Sequence, residues 1–228
     1  MDTKKDARVA LVTGGSAGLG LALTKALAAQ GWDVLTDGRS EEKFKEAEPP
    51  DGVTVVVGDL TDTDHRATFV AEVERRGRLD LLVHNASTLG PLPMRPLADV
   101  DIPDLMHVWR TNIGGPLVLT SALLPWLLGA DGVLLSISSD AAIEHYETWG
   151  LYGASKAALD HVTLTYAAET GLRAYAVDPG DMRTAMHQDA FPGEDISDRP
   201  LPETVVPRLL ALLDTRPESG RYKLEDFR

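Results

Sequence analysis

Short apolar runs rich in β-branched residues alternate with longer helix-forming stretches along the whole 228-residue chain. Six such runs predict strands at 9–13, 34–37, 53–58, 79–84, 132–138 and 173–178. Most are apolar at successive positions, which is typical of strands covered on both faces. Because parallel strands need crossover connections, the alternation predicts an α/β fold: a doubly wound parallel sheet of six to seven strands with helices on both faces.

The stretches between these strands predict helices at 19–30, 41–47, 64–76, 102–128, 152–170 and 202–213, and a seventh strand is expected at 221–224. No repeat or linker interrupts the pattern, so residues 1–228 are expected to form a single domain. Two irregular stretches, 86–101 and 179–200, each follow the end of a predicted strand. In an open α/β sheet such loops border the ligand crevice.

Charge and composition exclude several classes of function. Acidic side chains number 35 against 22 basic ones, which gives a formal charge of −13. That charge repels phosphate backbones and anionic lipid, so neither nucleic acid nor a membrane is expected as a partner. The chain has no cysteine, which excludes disulfides and thiolate nucleophiles and favours a cytoplasmic location. Residues 1–8 predict no signal peptide, and the apolar stretch 116–130, broken by Pro125, is too short to span a bilayer.

A glycine-rich turn joins the first predicted strand to the first predicted helix. Residues 13–20 read Thr-Gly-Gly-Ser-Ala-Gly-Leu-Gly. Glycines let the backbone turn sharply and approach a pyrophosphate, whose charge is attracted by the free N–H groups of the helix start. A tight turn with only a structural role is the alternative. A mononucleotide P-loop is disfavoured because no Gly-Lys-Ser/Thr follows.

Four polar residues predict a catalytic group. Tyr152 and Lys156 lie four residues apart at the start of a predicted helix, about 40° apart on one face. Ser139 ends the fifth predicted strand, and Asn112 lies within the long helix before it. The structural alternatives are a solvent-facing helix surface for Tyr152 and Lys156, a strand-end cap for Ser139 and the relief of a helix kink for Asn112.

The glycine spacing of the turn and this ordered set of Asn, Ser, Tyr and Lys resemble the short-chain dehydrogenases/reductases, which have a single-domain Rossmann fold. The resemblance covers the whole chain and implies a reductase that converts a ketone or aldehyde to an alcohol with a nicotinamide cofactor. Tyr152 would be the acid/base, and Lys156 would lower its pKa from about 10 and bind the nicotinamide ribose. Ser139 would donate to the carbonyl oxygen, and Asn112 would hold a water that links Lys156 to solvent.

The end of the second strand predicts which nicotinamide cofactor binds. Gly38 occupies the discriminating position and Arg39 follows it, which favours the 2′-phosphate of NADP(H) because a phosphate needs a cation. Asp37 leaves NAD(H) open as the alternative, since a small shift in register would place its carboxylate on the ribose diol. Ala17 stands where the family often has a second basic residue.

The resemblance implies further cofactor contacts. Asp59 would contact the adenine, with the N–H of Leu60 nearby, and Thr184 would bond the nicotinamide carboxamide. His84 and Ser87 depart from the family's usual Asn and Gly on either side of Asn85 and Ala86. The predicted cofactor-binding residues are Gly14, Ser16, Gly18, Leu19, Gly20, Arg39, Asp59, Leu60, Asn85, Ala86, Tyr152, Lys156, Pro179, Gly180, Met182 and Thr184.

Other residues suggest the substrate pocket. Residues 185–200 are interpreted as a lid, with Met186, His187 and Phe191 as candidates to touch substrate. Tyr146 and Trp149 either line the pocket, which would favour a flat or hydrophobic carbonyl compound, or pack in a subunit contact. The six histidines of the chain lack ligand spacing, so no metal site is predicted.

Three questions of function stay open at the level of sequence. Relatives often pair through the helices at 102–128 and 152–170, so the resemblance implies a homo-oligomer, dimer or tetramer. An NAD-dependent alcohol dehydrogenase is the first alternative function. The second is a non-catalytic protein that senses NADP(H).

Overall fold

Seven parallel strands form one sheet in the computed structural model, which describes residues 7–227. They are β1 Val9–Val12, β2 Asp33–Gly38, β3 Val53–Val57, β4 Leu81–His84, β5 Val133–Ile137, β6 Arg173–Asp178 and β7 Gly220–Lys223. Their spatial order is β3-β2-β1-β4-β5-β6-β7. The order reverses between β1 and β4, so the crossovers on the two sides leave a crevice there at the carboxyl ends of the strands. This confirms the predicted fold class, including the seventh strand.

Helices cover both faces of the sheet. They are α1 Gly18–Ala29, α2 Glu41–Ala47, α3 Thr63–Arg76, α4 Ile102–Trp109, α5 Gly115–Gly129, α6 Gly150–Thr170, α7 Ala185–Ala190 and α8 Pro202–Thr215. Side chains of β1 alternate between the two faces, with Ala10 and Val12 in the core under α1 and α8, and Val9 and Leu11 in the core under α3 and α5. Burial on both sides is the reason that the strand is apolar at every position.

The predicted helix at 102–128 is not a continuous α-helix. A π-helical segment, Arg110–Gly114, separates α4 from α5, and the Gly115 N–H bonds the Arg110 carbonyl five residues back. Pro116 has no N–H to donate to the carbonyl of Asn112, which gives a physical reason for the widened turn. Such bulges are frequent at functional sites, and this one contains Asn112.

The helical segment from Ile102 to Gly129 is, by length and composition alone, long and apolar enough to cross a membrane, with a mean hydropathy of 1.3 over its most apolar window. It is longer than the stretch 116–130 on which the sequence-based exclusion rested. One face of α5 packs in the core of the sheet through Leu119, Leu123 and Leu127. This packing accounts for much of the apolar composition of the helix.

Candidate active site

A cleft of about 550 Å³ opens at the carboxyl ends of the central strands. Its walls include residues 85–90 and 178–182, which begin the two irregular stretches, so the predicted border of the crevice is confirmed. Most of the predicted site residues lie on its walls, namely Gly14, Ser16, Gly18, Leu19, Arg39, Asp59, Leu60, Asn85, Ala86, Ser139, Tyr152, Lys156, Pro179, Gly180, Met182 and Thr184. Gly20 and Asn112 lie behind the wall.

The glycine-rich turn between β1 and α1 has no room for a side chain at Gly14 or Gly20. Gly14 and Gly18 have φ angles of 72° and 55°, a region in which residues other than glycine are strained. A Cβ on Gly14 would lie 2.9 Å from the Cα of Ala86, and one on Gly20 would overlap the Gly14 carbonyl oxygen. Gly20, predicted to bind cofactor, does not line the cleft, and its lack of a side chain lets α1 pack against the turn.

The start of α1 offers free N–H groups to the cleft. No side chain in the described part of the chain caps this helix at its N-cap residue, Ala17. The first N–H groups of a helix have no partner within the helix, and together with its dipole they attract an anion. Gly18 and Leu19 bring this helix start to the cleft wall.

Asp37 holds the turn from behind. Its Oδ1 accepts a hydrogen bond from the N–H of Gly14 at 2.6 Å, and its carbonyl accepts from Gly15 at 2.8 Å. Its Oδ2 lies 2.9 Å from Nε2 of His65 on α3. Asp37 is 2% exposed, so the alternative register that would place this carboxylate on a ribose is not the one the chain adopts.

Two cations and one carboxylate line the part of the cleft next to the end of β2. Arg39 and Lys43 lie on the wall with Asp59. Burial raises the pKa of Asp59, but hydrogen bonds from Thr61 and the charge of Arg39 outweigh it, so the pKa lies below its ordinary value. Asp62, not Asp59, caps α3, and both hydrogen bonds from Thr61 go to Oδ1 of Asp59.

The segment after β4 braces the glycine-rich turn. The Asn85 side chain donates to the carbonyls of Thr13 and Gly14 at 2.8 and 3.1 Å. His84 is buried, with Nε2 2.7 Å from Oγ1 of Thr120, and burial lowers its pKa to about 3. The imidazole is therefore neutral at pH 7 and takes part in the polar packing of α5 on the sheet.

Tyr152 and Lys156 share one wall of the cleft at the start of α6. The Lys156 Nζ lies 5.6 Å from the centre of the Tyr152 ring and donates to the carbonyl of Ile137 at 2.8 Å. Tyr152 is 7% exposed and Lys156 is 2% exposed. The two side chains therefore face the same space, as their spacing of four residues predicted.

The pKa values of this pair differ from the expectation that Lys156 makes Tyr152 acidic. Burial raises the pKa of the Tyr152 phenol well above its ordinary value, and the carboxylates of Asp140, Asp178 and Asp160 add to the rise, while Ser139 opposes it. Burial also lowers the pKa of Lys156 to about 8. Desolvation dominates because both groups lie almost wholly out of water. In the chain alone the phenol thus keeps its proton.

Ser139 is both a cap and a cleft residue. Its hydroxyl donates to Oδ1 of Asp140 at 3.0 Å and accepts from the N–H of Ala141 at 3.2 Å, which caps the 3-10 turn Asp140–Ala142. Ser139 therefore caps the turn that follows β5, in agreement with the structural alternative from the sequence. The hydroxyl has to turn away from Asp140 before it can donate to a group in the cleft.

Asn112 ties the π-helical segment to its neighbours. Its Oδ1 accepts from the N–H of Thr88, and its Nδ2 donates to the Thr88 carbonyl and to Oγ of Ser155, each at 2.9 Å. Ser155 precedes Lys156, so Asn112 fixes the helix that carries the lysine. Thr111, its neighbour, is the residue of this segment on the cleft wall.

The loop after β6 forms the opposite wall. Gly180 has a φ of 74°, and its N–H donates to Oδ1 of Asp178 at 3.0 Å. Thr184 caps α7, accepting from the N–H of His187 at 3.1 Å, and its side chain lies beside Gly18. The Thr184 hydroxyl proton is left available to the cleft.

Aromatic residues close the substrate end. Trp149 lines the cleft, 5.8 Å from the Tyr152 ring and 5.7 Å from that of Phe191. Met186 and His187 of α7 also line it. The Tyr146 hydroxyl donates to Oδ2 of Asp140 at 2.8 Å. Among residues 7–227, no group of three or more His, Cys, Asp or Glu residues could hold a metal ion.

Comparison with known proteins identifies the family. A profile described as short chain dehydrogenase matches residues 8–195. The chain belongs to the short-chain dehydrogenase/reductase family. This agrees with the resemblance in the sequence and with the parallel sheet.

Three relatives illustrate the range of this short-chain dehydrogenase family. The "uncharacterized oxidoreductase YciK" of Escherichia coli K12 is 32% identical over 227 residues, covering 93% of this chain and 89% of the relative. The yeast benzil reductase ((S)-benzoin forming) IRC24 of Saccharomyces cerevisiae is 30% identical, covering 80% of this chain and 74% of the relative. A short chain dehydrogenase of Escherichia coli CFT073, solved in complex with NADPH, has a TM-score of 0.87 and 31% identity, covering 96% of both chains.

The cleft fits the nicotinamide dinucleotide that short-chain dehydrogenases use. Gly18, at the start of α1, lines the cleft with a φ of 55° and places no side chain there, and the uncapped α1 N-terminus suits a pyrophosphate. Arg39 and Lys43 supply positive charge at one end, and Tyr152 and Lys156 supply a proton donor and a cation at the other.

Neither the presence of Lys43 in the site nor the inward direction of Asp37 was predicted from the sequence. Lys43 lies four residues after Arg39, in the first turn of α2, and a second basic residue so close in sequence is a signal that the charge pattern could have provided. The inward direction of Asp37 had no local signal, because the face on which a strand residue lies depends on its register with the neighbouring strand.

Proposed function

We propose that this protein is an NADP(H)-dependent short-chain reductase that converts a ketone or aldehyde to an alcohol, with Tyr152 as the acid/base. The observation that carries the proposal is that Tyr152, Lys156 and Ser139 lie on the wall of one cleft whose other end holds Arg39 and Lys43. A proton donor and a hydride donor can then meet at one carbonyl group.

The charges at the end of β2 support NADP(H) over NAD(H). The Asp37 carboxylate is bonded to Gly14 and His65 and is 2% exposed, so it is already engaged and does not compete for a ribose. Arg39 and Lys43 are cations on the cleft wall with Gly38, and a 2′-phosphate needs such cations. The relative solved with NADPH agrees with this preference.

Three side chains divide the chemistry at the carbonyl. When bound, the nicotinamide ring supplies the hydride that adds to the carbonyl carbon. The Tyr152 hydroxyl gives its proton to the oxygen, and the Lys156 ammonium stabilises the phenolate that remains. The Ser139 hydroxyl, once turned from Asp140, donates to the same oxygen. Asn112 holds the Ser155–Lys156 segment in place, and it is assigned the predicted water relay to solvent.

The raised pKa of Tyr152 supports the direction of reduction. A carbonyl reduction needs the protonated phenol, and burial favours that form. Alcohol oxidation starts from the phenolate, which this environment disfavours. The chain alone thus holds the phenol in the form that the proposed reduction uses.

The walls of the cleft favour a flat or hydrophobic substrate. Trp149, Leu89 and Met186 present an aromatic and apolar surface next to Tyr152. The similarity to a yeast benzil reductase is consistent with an aromatic ketone. The protein is assigned to the cytoplasm as a homo-oligomer, dimer or tetramer, that pairs through α4, α5 and α6.

Purified protein would be tested with NADPH or NADH against benzil, acetophenone, benzaldehyde and cyclohexanone, following the loss of reduced-cofactor absorbance. NADPH oxidation that depends on a carbonyl compound is expected, with the aromatic compounds preferred. Arg39→Asp should weaken NADPH binding about tenfold or more, because it replaces a phosphate partner by a like charge.

Other outcomes of the screen would contradict the proposal. A preference for NADH would favour an NAD-dependent alcohol dehydrogenase. Tight binding of NADPH without turnover of any compound would favour a protein that senses NADP(H) without catalysis.

A further inference from the structure

Arg221, on the last strand of the sheet, reaches under the catalytic groups. Its Nε donates to Oδ2 of Asp160 at 3.0 Å, and its Nη2 donates to the carbonyl of Ser139 at 2.8 Å. The same Nη2 lies 3.7 Å from Oδ2 of Asp178. The side chain is 20% exposed, so these contacts are largely shielded from water.

The three partners belong to three elements that carry the active site. Asp160 lies one turn after Lys156 in α6, and its Oδ2 also accepts from Oγ of Ser138 at 2.7 Å. Ser139 follows β5, and Asp178 ends β6. One planar guanidinium therefore joins the catalytic helix to the ends of both neighbouring strands, and its fixed fork sets their distances.

Arg221 also supplies the positive charge that balances the buried carboxylate of Asp160. The Asp160 carboxylate is mostly buried, and its Oδ1 has no hydrogen-bond partner among residues 7–227. Burial raises the pKa of Asp160, while Ser138 and Arg221 lower it. Asp160, on the same helix, is the carboxylate that acts on Lys156, and Asp140 and Asp178 act together with it on Tyr152, while the nearby His84 is neutral. Arg221 is the cation that bonds Asp160 and approaches Asp178.

We propose that Arg221 and Asp160 are positioning residues for the reduction: they fix the main chain of Ser139 against α6, so that Ser139 and Tyr152 meet the same carbonyl oxygen. The proposal rests on the proposed function for the roles of these two hydroxyls. It assigns a task to β7, a strand at the edge of the sheet that supplied no predicted site residue.

Steady-state kinetics would test the proposal with NADPH and the compound of the screen that the wild-type protein reduces fastest. Arg221→Met should lower kcat about tenfold or more, because small displacements of reacting groups cost that much. The Kd for NADPH should stay within about twofold, since Arg221 contacts no predicted cofactor residue except through Asp178. Arg221→Lys should give an intermediate kcat, because an ammonium can keep only part of the fork.

Arg173→Met is the matched control. Arg173 begins β6 and donates to the carbonyls of Arg216 and Pro217, roughly 16 Å along the strand from Asp178. It should lose stability without losing kcat. Equal kcat in the Arg221→Met and wild-type proteins, or equal losses in the Arg221→Met and Arg173→Met proteins, would overturn the proposal.

Two measurements without substrate separate this proposal from the proposed function. Hydrogen exchange at the Ala141 and Ala142 amides should quicken in Arg221→Met and not in Arg173→Met. In Asp160→Asn, NMR titration of the Lys156 Nζ should give a pKa below the wild-type value, since Asp160 is the anion that opposes the effect of burial. If the exchange rates in Arg221→Met and the Lys156 pKa in Asp160→Asn both equal the wild-type values, the positioning role is wrong. If the exchange rates and the Lys156 pKa both change as expected but the wild-type protein reduces no carbonyl compound, the structural role of Arg221 and Asp160 stands and the proposed function is wrong. Should Arg221→Met not fold, Arg221→Lys and Asp160→Asn decide.

Discussion

The protonation of two buried side chains decides what the site can do. Tyr152 holds its proton because desolvation and the nearby carboxylates outweigh the opposing effect of Ser139. Lys156 holds its proton weakly, with a pKa lowered to about 8, because its ammonium is buried with one carbonyl partner and one nearby carboxylate. The Tyr152 phenol can therefore donate a proton, and the buried Lys156 ammonium costs the folded state free energy.

This cost leads to a prediction for stability. The unfolded chain binds the lysine proton up to an ordinary pKa of 10.5, while the folded chain releases it above about 8. The folded state thus gains stability as the pH rises from 8 to 10.5 and carries the full penalty below 8, roughly 3 kcal/mol. Lys156→Met removes that penalty and loses about 1 kcal/mol with the bond to Ile137.

Lys156→Met should therefore raise the free energy of unfolding at pH 7 by about 1–2 kcal/mol while activity is lost. Urea unfolding at pH 7 and pH 10 checks this. The gain should shrink at the higher pH, and a variant that is less stable than wild type at pH 7 would show that the ammonium is not penalised.

Among the strands, helices and turns, some features follow from the local sequence pattern and others do not. The apolar run of β1, the glycine-rich turn and the Tyr152–Lys156 spacing each depend on local pattern, and the structure confirms them. The π-helical segment was missed because Pro116 signals a disturbed helix without specifying how it is disturbed. The inward direction of Asp37 and the reach of Arg221 depend on contacts between elements distant in sequence, which one sequence does not supply.

The Asp37 contact predicts a separation of binding from catalysis. Asp37→Asn should weaken NADPH binding about tenfold, since it disturbs the partner of the Gly14 N–H, but leave kcat at saturating NADPH nearly unchanged. Fluorescence titration with NADPH and steady-state kinetics measure the two effects. Asp33→Asn, at the other end of β2, is the matched control because its carboxylate pairs with Arg76 away from the turn. Equal Kd values in both variants would contradict a role for Asp37 in holding the turn.

At the scale of the whole molecule, several apolar side chains on α4 and α5 are exposed to solvent outside the cleft. Met106, Trp109, Leu117 and Val118, on α4 and α5, are exposed on the opposite side from the core. Apolar groups at such spacing on a helix mark a contact surface more often than an isolated exposed residue does. This agrees with the proposed pairing of copies through these helices.

Val118→Asp should therefore convert the protein to monomer, because it places a charge in the proposed contact. Light scattering coupled to size exclusion measures the mass. Val57→Asp is the control, since Val57 is similarly exposed but lies at the end of β3. A wild-type protein of monomer mass would contradict the pairing.

The most direct test of the whole account is the NADPH-dependent reduction rate of Tyr152→Phe beside that of wild type, on the best compound of the screen. The account predicts a fall in kcat of about a hundredfold or more with a nearly unchanged Kd for NADPH, because only the donated proton is removed. A variant that reduced the compound at the wild-type rate would contradict the central claim that the Tyr152 hydroxyl protonates the carbonyl oxygen.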